Sequence, residues 1–304
     1  MLGARAQISE RAAASINAPS EAVEVVRNVL SLPDERLDYA HAVLAFDRVV
    51  DPSTDVAGTL AELDRLAEEA RRLAGPAANG ELRLAALRTV IYRSGPWNDH
   101  RPFDYDHEGY RALHCKLIAN YLATRLGNCV SMPILFLILA DKLGLDMALA
   151  VAPVHFYLRY RDESGRIINL ETTSGALPAR DEWIRQTRQV SDRGIETGFY
   201  MRSLSRREGV AAMASTLVEY LMGQRRFHEA VAVSQIILRH NPRDGIVWAK
   251  LGSAYGRILD AEFLNRYGSH FLIPLPHRAN YLMLLQRNHA AFAAAKALGW
   301  EPVQ

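Results

Sequence analysis

An α+β fold is predicted by three features of the chain. Apolar residues recur at helical spacing through the first 93 residues. Three short runs between residues 146 and 171 have strand character and are joined by turn signals. From about Leu204 onward the helical period returns. The expected organisation is a helical N-terminal region over residues 1–94, a mixed core with a small antiparallel sheet over 95–203, and a helical tail over 204–304.

Residues 1–19 are rich in Ala and Ser and are expected to be poorly ordered. Ser20 is a good N-cap for a helix from Glu21, with Val23, Val26 and Leu30 along one face. Pro33 opens the next helix, which turns Leu37, Ala40, Leu44 and Ala45 inward until Asp51-Pro52 stops it. A third helix runs from about Thr54 to Leu73, with Leu60, Leu63, Leu66 and Ala70 as its stripe and Gly75-Pro76 as its end. A fourth covers about Leu82 to Tyr92.

Residues 95–106 form a long loop rich in aromatic and acidic side chains, a kind of segment that is more often functional than decorative. A helix from about Tyr110 to Leu126 follows, ended by Gly127. A second, strongly apolar helix begins at Cys129, and Gly144 closes the turn into a strand from about Asp146 to Ala152. After a bend at Pro153 come strands over His155–Arg161 and Arg166–Glu171. Asp162-Glu163-Ser164-Gly165 supplies the hairpin between them.

The tail carries a repeat signature. Phe227, Ala230 and Pro242 match second-helix positions of a tetratricopeptide repeat. Trp248, Leu251, Gly252 and Tyr255 match the first helix of the next unit in phase. A segment with Gly268, Pro274 and Pro276 interrupts the second unit before a last helix from about Ala279. One and a half to two repeats are too few to bury their faces alone, so the tail is expected to dock on the core.

Composition bounds the function. The protein has 304 residues, 49% apolar and 23% charged, with a net charge of +2. That balance gives no argument for nucleic acid or an anionic membrane as partner. The longest apolar stretch, Val130 to Ala140, is broken too soon to span a bilayer. The first 20 residues do not read as a signal peptide. Two cysteines are too few for a disulfide framework and point to a reducing, cytoplasmic setting. No phosphate-binding glycine loop and no dinucleotide fingerprint are present, so no cofactor is expected. His100, Asp104, Asp106, His107 and His114 fit no compact zinc spacing, so no metal is expected either. Arg206-Arg207 and Arg225-Arg226 read as solvated helix ends.

The chemistry concentrates at Cys129, His155 and Glu171. A cysteine before an apolar helix is usually a small buried hydrophobe, and a strand histidine is usually structural. The ordered combination over the right elements is what selects a catalytic reading. A helix start and a nearby imidazole both favour the thiolate. The imidazole then needs an acceptor on its other nitrogen, which Glu171 or Asn169 can supply. A three-residue hairpin loop ending in Gly165 puts Tyr157 opposite Glu171 and makes His155 its diagonal neighbour on one face.

The segment from Tyr121 to Gly175 resembles the transglutaminase-like superfamily. Arg125-Leu126-Gly127-Asn128-Cys129-Val130-Ser131 and the run Leu135 to Leu145 are similar to its SirB-like bacterial branch, which also carries C-terminal tetratricopeptide repeats. The resemblance implies a papain-like site with Cys129 as nucleophile, His155 as base and Glu171 where the family normally has Asp. Asn169 is close enough to compete for the third role. The implied activity is hydrolysis or acyl transfer at a peptide or side-chain amide, the Cys129 N–H serving as one oxyanion donor. The rival reading is a scaffold that binds a protein partner through its tail.

Overall fold

A computed structural model describes residues 20–302; the expectation for residues 1–19 lies outside the described residues. Helix α1 (Glu21–Leu30) starts where Ser20 accepts the Val23 amide. Helix α2 (Tyr39–Val50) starts later than read from sequence. Pro33 leads only into a 3-10 turn, and Asp38 caps α2 by accepting the His41 N–H at 2.8 Å. Helices α3 (Val56–Ala74) and α4 (Gly80–Tyr92) begin at the caps Asp55 and Asn79.

The helix expected from Tyr110 to Leu126 requires correction. Its first half is a 3-10 turn, Leu113–Lys116, and only α5 (Ile118–Thr124) is α-helical. Strand β1 (Asp104–Tyr105) pairs in parallel with β2 (Leu126–Gly127), taking in the end of the expected helix. Side chains claim the backbone groups a longer helix would use. Asn128 donates to the Tyr110 carbonyl at 2.8 Å, and Ser131 donates to the Cys115 carbonyl at 2.6 Å. Such local competition is why polar short side chains break helices.

Helix α6 (Ser131–Lys142) is buried from Ser131 through Ala140 on every side. A helix apolar all round is a core helix, and α3, α4 and α5 pack around it together with the sheet. The sheet runs β3 (Met147–Ala152), β4 (His155–Arg161), β5 (Ile167–Glu171) and β6 (Leu177–Ala179), in that order and antiparallel throughout. Strand β6 has no counterpart in the sequence reading. It is short, contains Pro178 and lies at the sheet edge, where proline is tolerated.

Short helices α7 (Asp181–Thr187) and α8 (Asp192–Glu196) follow. The backbone then covers the outer edge of β3, with Met201 donating to Val151 at 3.0 Å and Leu204 to Leu149 at 2.9 Å. Beyond it lie α9 (Arg206–Met213), α10 (Ser215–Gly223), α11 (Phe227–His240), α12 (Gly245–Leu259) and α13 (Leu275–Ala297). Pro276 sits in the first turn of α13 and starts it earlier than read.

The tail is fastened to the rest of the molecule. Helices α9 and α10 pack on α2, and α11 packs on α1. One apolar cluster runs from Ala22 to Ala291. Arg206 and Arg207 are not solvated ends. Arg206 pairs with Asp141 at 3.0 Å and lies 4.4 Å over the Tyr39 ring; Arg207 donates to the Leu32 carbonyl at 2.7 Å. The residues of the repeat signature sit in packed positions. Ala230 is fully buried, and a side chain at Gly252 would meet the Phe292 ring at 2.8 Å. Ala230→Leu is therefore expected to overpack the tail and cost roughly 1–3 kcal/mol. A urea midpoint unchanged from the wild type would show that this contact has slack.

Among the described residues no helix is long and apolar enough to cross a membrane.

Candidate active site

The site begins with the backbone around Cys129. Arg125 ends α5 in the left-handed region, φ 65°, and is held there by an ion pair to Glu62 at 3.0 Å and by stacking 4.2 Å over Phe103. Gly127 is needed next, since a Cβ there would lie 2.7 Å from both Ser131 Oγ and the Tyr121 ring. Asn128 is buried and caps α6, accepting the amides of Val130 at 2.9 Å and Ser131 at 3.2 Å. The Cys129 thiol is left at the mouth of α6, partly exposed.

Strand β4 is stitched to Cys129 on both sides of His155. The thiol donates to the Val154 carbonyl at 3.6 Å, and the Phe156 amide donates to the Cys129 carbonyl at 3.3 Å. Val154 sits in the two-residue turn between β3 and β4 with φ 55°. That conformation is strained for a β-branched residue, and such strain clusters at functional sites.

His155 and Glu171 are both buried, and Nε2 meets Glu171 Oε2 at 2.6 Å. The other carboxylate oxygen accepts the Thr173 amide at 3.0 Å and hydroxyl at 2.7 Å. Burial works to raise the Glu171 pKa, but the donors of His155 and Thr173 outweigh it and hold the carboxyl below its ordinary value. An ionised Glu171 only accepts, so Nε2 carries the proton in this pair. In the neutral ring, Nδ1 is then the lone-pair nitrogen. It is buried and makes no hydrogen bond among the described residues. The Cys129 thiol rests on the Val154 carbonyl, and no hydrogen bond joins it to this nitrogen.

Asn169 lies apart from this pair. Its amide donates to the Ala179 carbonyl at 3.2 Å and to Asp181 at 2.6 Å, tying β5 to β6 and α7. In this structure the hydrogen-bond partner of His155 is Glu171, whereas Asn169, the other candidate for that part, is bonded to Ala179 and Asp181. The register explains the pairing: Leu158 opposes Leu170, and continuing in step sets Tyr157 against Glu171.

The expectation of a low thiol pKa is also corrected. Burial pushes the Cys129 thiol up; Lys116 and Arg188 pull the other way without overcoming it, and Glu171 adds to the rise. Cys115 is more strongly raised, to about 11, by burial and by Asp106, which its sulfur faces at 3.3 Å.

Cys129 and His155 open onto a cavity of about 770 Å³. The sequence reading missed much of its wall. Arg188, after α7, places its terminal nitrogen 3.9 Å from Glu171. Lys116 and Lys250 both pair with Glu219, the latter at 2.7 Å. Burial opposes the Glu219 charge, but the two ammoniums hold its pKa down to about 2. Lys116 precedes α5 while Glu219 and Lys250 lie on α10 and α12, so no local spacing links them. Among the acidic and histidine residues of the 100–114 loop, Asp106 accepts the Gly109 amide at 2.7 Å and the His107 ring lies tilted against Tyr105, 5.2 Å between centroids. Among the described residues no three His, Cys, Asp or Glu side chains are grouped to hold a metal.

Residues 57–196 match the family model described as the transglutaminase-like superfamily, a span that takes in α3 and α4 as well as the sheet. The protein is 25% identical over 232 residues to a UPF0162 protein of Buchnera aphidicola subsp. Schizaphis graminum, covering 71% of its own length and 81% of that relative. It is 22% identical over 212 residues to Protein SirB1 of Salmonella typhimurium and equally to that of Salmonella typhi, covering 66% of its own length and 76% of theirs. No solved structure matches. The matched span holds the Cys129 loop, α6 and the sheet, and the similarity to the relatives extends over most of the sequence, so the protein is similar to the transglutaminase-like superfamily and to the SirB1 proteins.

Proposed function

We propose that the protein is a cysteine-nucleophile amide hydrolase or acyltransferase acting on a peptide or side-chain amide. The observation that carries this reading is the buried His155–Glu171 pair, which leaves Nδ1 as a free base beside the Cys129 loop. Because burial disfavours the thiolate, the reading is general-base catalysis of a neutral thiol rather than a standing thiolate–imidazolium pair. The thiol turns from the Val154 carbonyl to Nδ1, gives up its proton there, and the sulfur bonds to the amide carbon. The resulting oxyanion is met by the Cys129 N–H. Collapse breaks the C–N bond, and the proton on His155 leaves with the amine. Water, or an acceptor amine, then attacks the thioester with His155 again taking the proton; collapse breaks the C–S bond, releases the acid or the new amide, and the proton on His155 returns to the sulfur to restore the thiol. Two free cysteines support a cytoplasmic setting.

Alkylation tests this. Iodoacetamide should modify Cys129 faster than Cys115, with a Cys129 rate that climbs through pH 8 without a plateau near pH 6–7. Glu171→Gln keeps the shape but removes the charge that fixes the tautomer, and should lower turnover by on the order of 10²–10⁴. Asn169→Ala is the control. A greater loss from Asn169→Ala per folded molecule would move the orienting role there.

The scaffold reading draws on another observation. Phe271, Leu272 and Leu275 stand exposed at the start of α13, a surface fit for a protein partner. That reading predicts two equally unreactive thiols.

A further inference from the structure

Arg188 is the cation closest to the His155–Glu171 pair, and its hydrogen-bonding capacity is largely unused. Its terminal nitrogen is 3.4 Å from His155 Nε2. That ring nitrogen already donates to Glu171, so two donors face each other and no hydrogen bond results. The contact to Glu171 itself is an ion pair at 3.9 Å, too long for a hydrogen bond. Arg188 Nε is buried and without a partner among the described residues. The guanidinium nevertheless lines the cavity in which Cys129 stands.

The acidic side chains of the same wall are otherwise engaged. Glu219 is shared by Lys116 and Lys250, which leaves that group with one positive charge in excess. Asp244 caps α12 through the Val247 amide at 3.0 Å. Asp104 accepts the Tyr105 amide at 2.7 Å. The cavity is therefore provided with donors and short of acceptors. A planar fork of unmet N–H groups is the geometry that takes a carboxylate on two parallel bonds.

We propose that the amide substrate of Cys129 carries a free carboxylate next to the scissile bond, and that Arg188 binds it, with Lys116 of the core and Glu219 and Lys250 of the helical tail completing the cavity wall. This rests on the catalytic reading above for the word substrate, but the binding site itself does not. A cavity of about 770 Å³ suits a few residues of peptide, not a folded protein surface. The carboxylate is the C-terminus of a peptide or an acidic side group within it. The tail then belongs to the substrate site in addition to any partner surface.

The test reads binding without turnover. Protection of Cys129 from iodoacetamide is titrated with three acetylated tripeptides: one with a free C-terminus, the same sequence as its C-terminal amide, and an amide with glutamate at the last position. One of the two acidic probes should protect at least about tenfold better than the neutral amide, and which one identifies the source. In Arg188→Gln the preference should fall to within about twofold while the weak protection by the neutral probe persists, and Arg188→Lys should restore part of it. Each protection constant is normalised to the unprotected rate of the same variant, because Arg188 also acts on the thiol. Equal protection by all three probes, no protection by any, or an acid preference that survives Arg188→Gln in folded protein would overturn the proposal. Acid-selective protection without turnover would leave the anion site standing and remove the catalytic reading. Turnover without acid preference would do the reverse.

Discussion

Cys129→Ala and His155→Ala are each expected to lower amide cleavage by on the order of 10⁴-fold, and the double replacement to lower it little further. The reason lies in how the two groups depend on one another. Burial raises the Cys129 thiol pKa, so on the proposed mechanism it attacks only as fast as His155 removes its proton. Without the thiol, the base has no nucleophile to activate. Residues that act as a unit give losses that do not multiply. Amine release from a mixed tripeptide pool, read with an amine-reactive fluorophore, measures all three variants. Losses that multiply in the double variant would mean that the two groups act in separate steps. His155→Ala activity within about tenfold of wild type would remove the general-base role and favour the scaffold.

Asp47→Asn is expected to make the folded protein more stable at pH 8.5, with an advantage that fades as the pH is lowered. Asp47 lies on α2 with 2% of its surface exposed, and accepts the Ala119 amide at the start of α5 at 3.1 Å. Burial pushes its pKa up to about 7; the amides of Ala119 and Ile118 hold it back, and Asp51 adds to the rise. The folded-state value is above the unfolded one. The protonated group's contribution is thus complete below the ordinary value of 3.8 and is lost as pH rises through about 7. At roughly 1.4 kcal/mol per pH unit the cost of the ionised form has a ceiling of about 4 kcal/mol. Asparagine retains an acceptor for the α5 amide without the charge. Urea midpoints at pH 4 and pH 8.5 test the sign. A variant no more stable than wild type at pH 8.5 would show that the helix amides compensate the buried charge in full.

Features written in short stretches of sequence were legible there. Ser20 marked the start of α1, and the all-apolar run after Cys129 marked a core helix. Gly165 is in the left-handed region, φ 84°, at the end of a three-residue hairpin loop. That single turn determined the register, and with it the pairing of His155 with Glu171. Where the sequence reading failed, a distant or competing group decided. The helix through Tyr110 was broken by Asn128 and Ser131, which claim its carbonyls from beyond its end. Arg206 and Arg207 look like solvent-facing charge until Asp141 and the carbonyls of Leu30 and Leu32 at the end of α1 are placed against them.

The sequence by itself determined the fold class and the order of the main elements, and picked out Cys129, His155 and Glu171 as candidates, because turns, caps and strand register act over a few residues. The choice of Glu171 over Asn169 was decided by tertiary structure. Both face the same side of β5, and only β6 and α7 draw Asn169 away. The direction in which the Cys129 thiol pKa moves was decided there too. A helix start and an imidazole argue for a thiolate, but desolvation depends on everything packed around the sulfur and is the larger effect. The cavity wall is the clearest case. Lys116, Arg188, Glu219 and Lys250 come from four separate stretches of sequence, and their charges meet only after the helical tail has docked on the core.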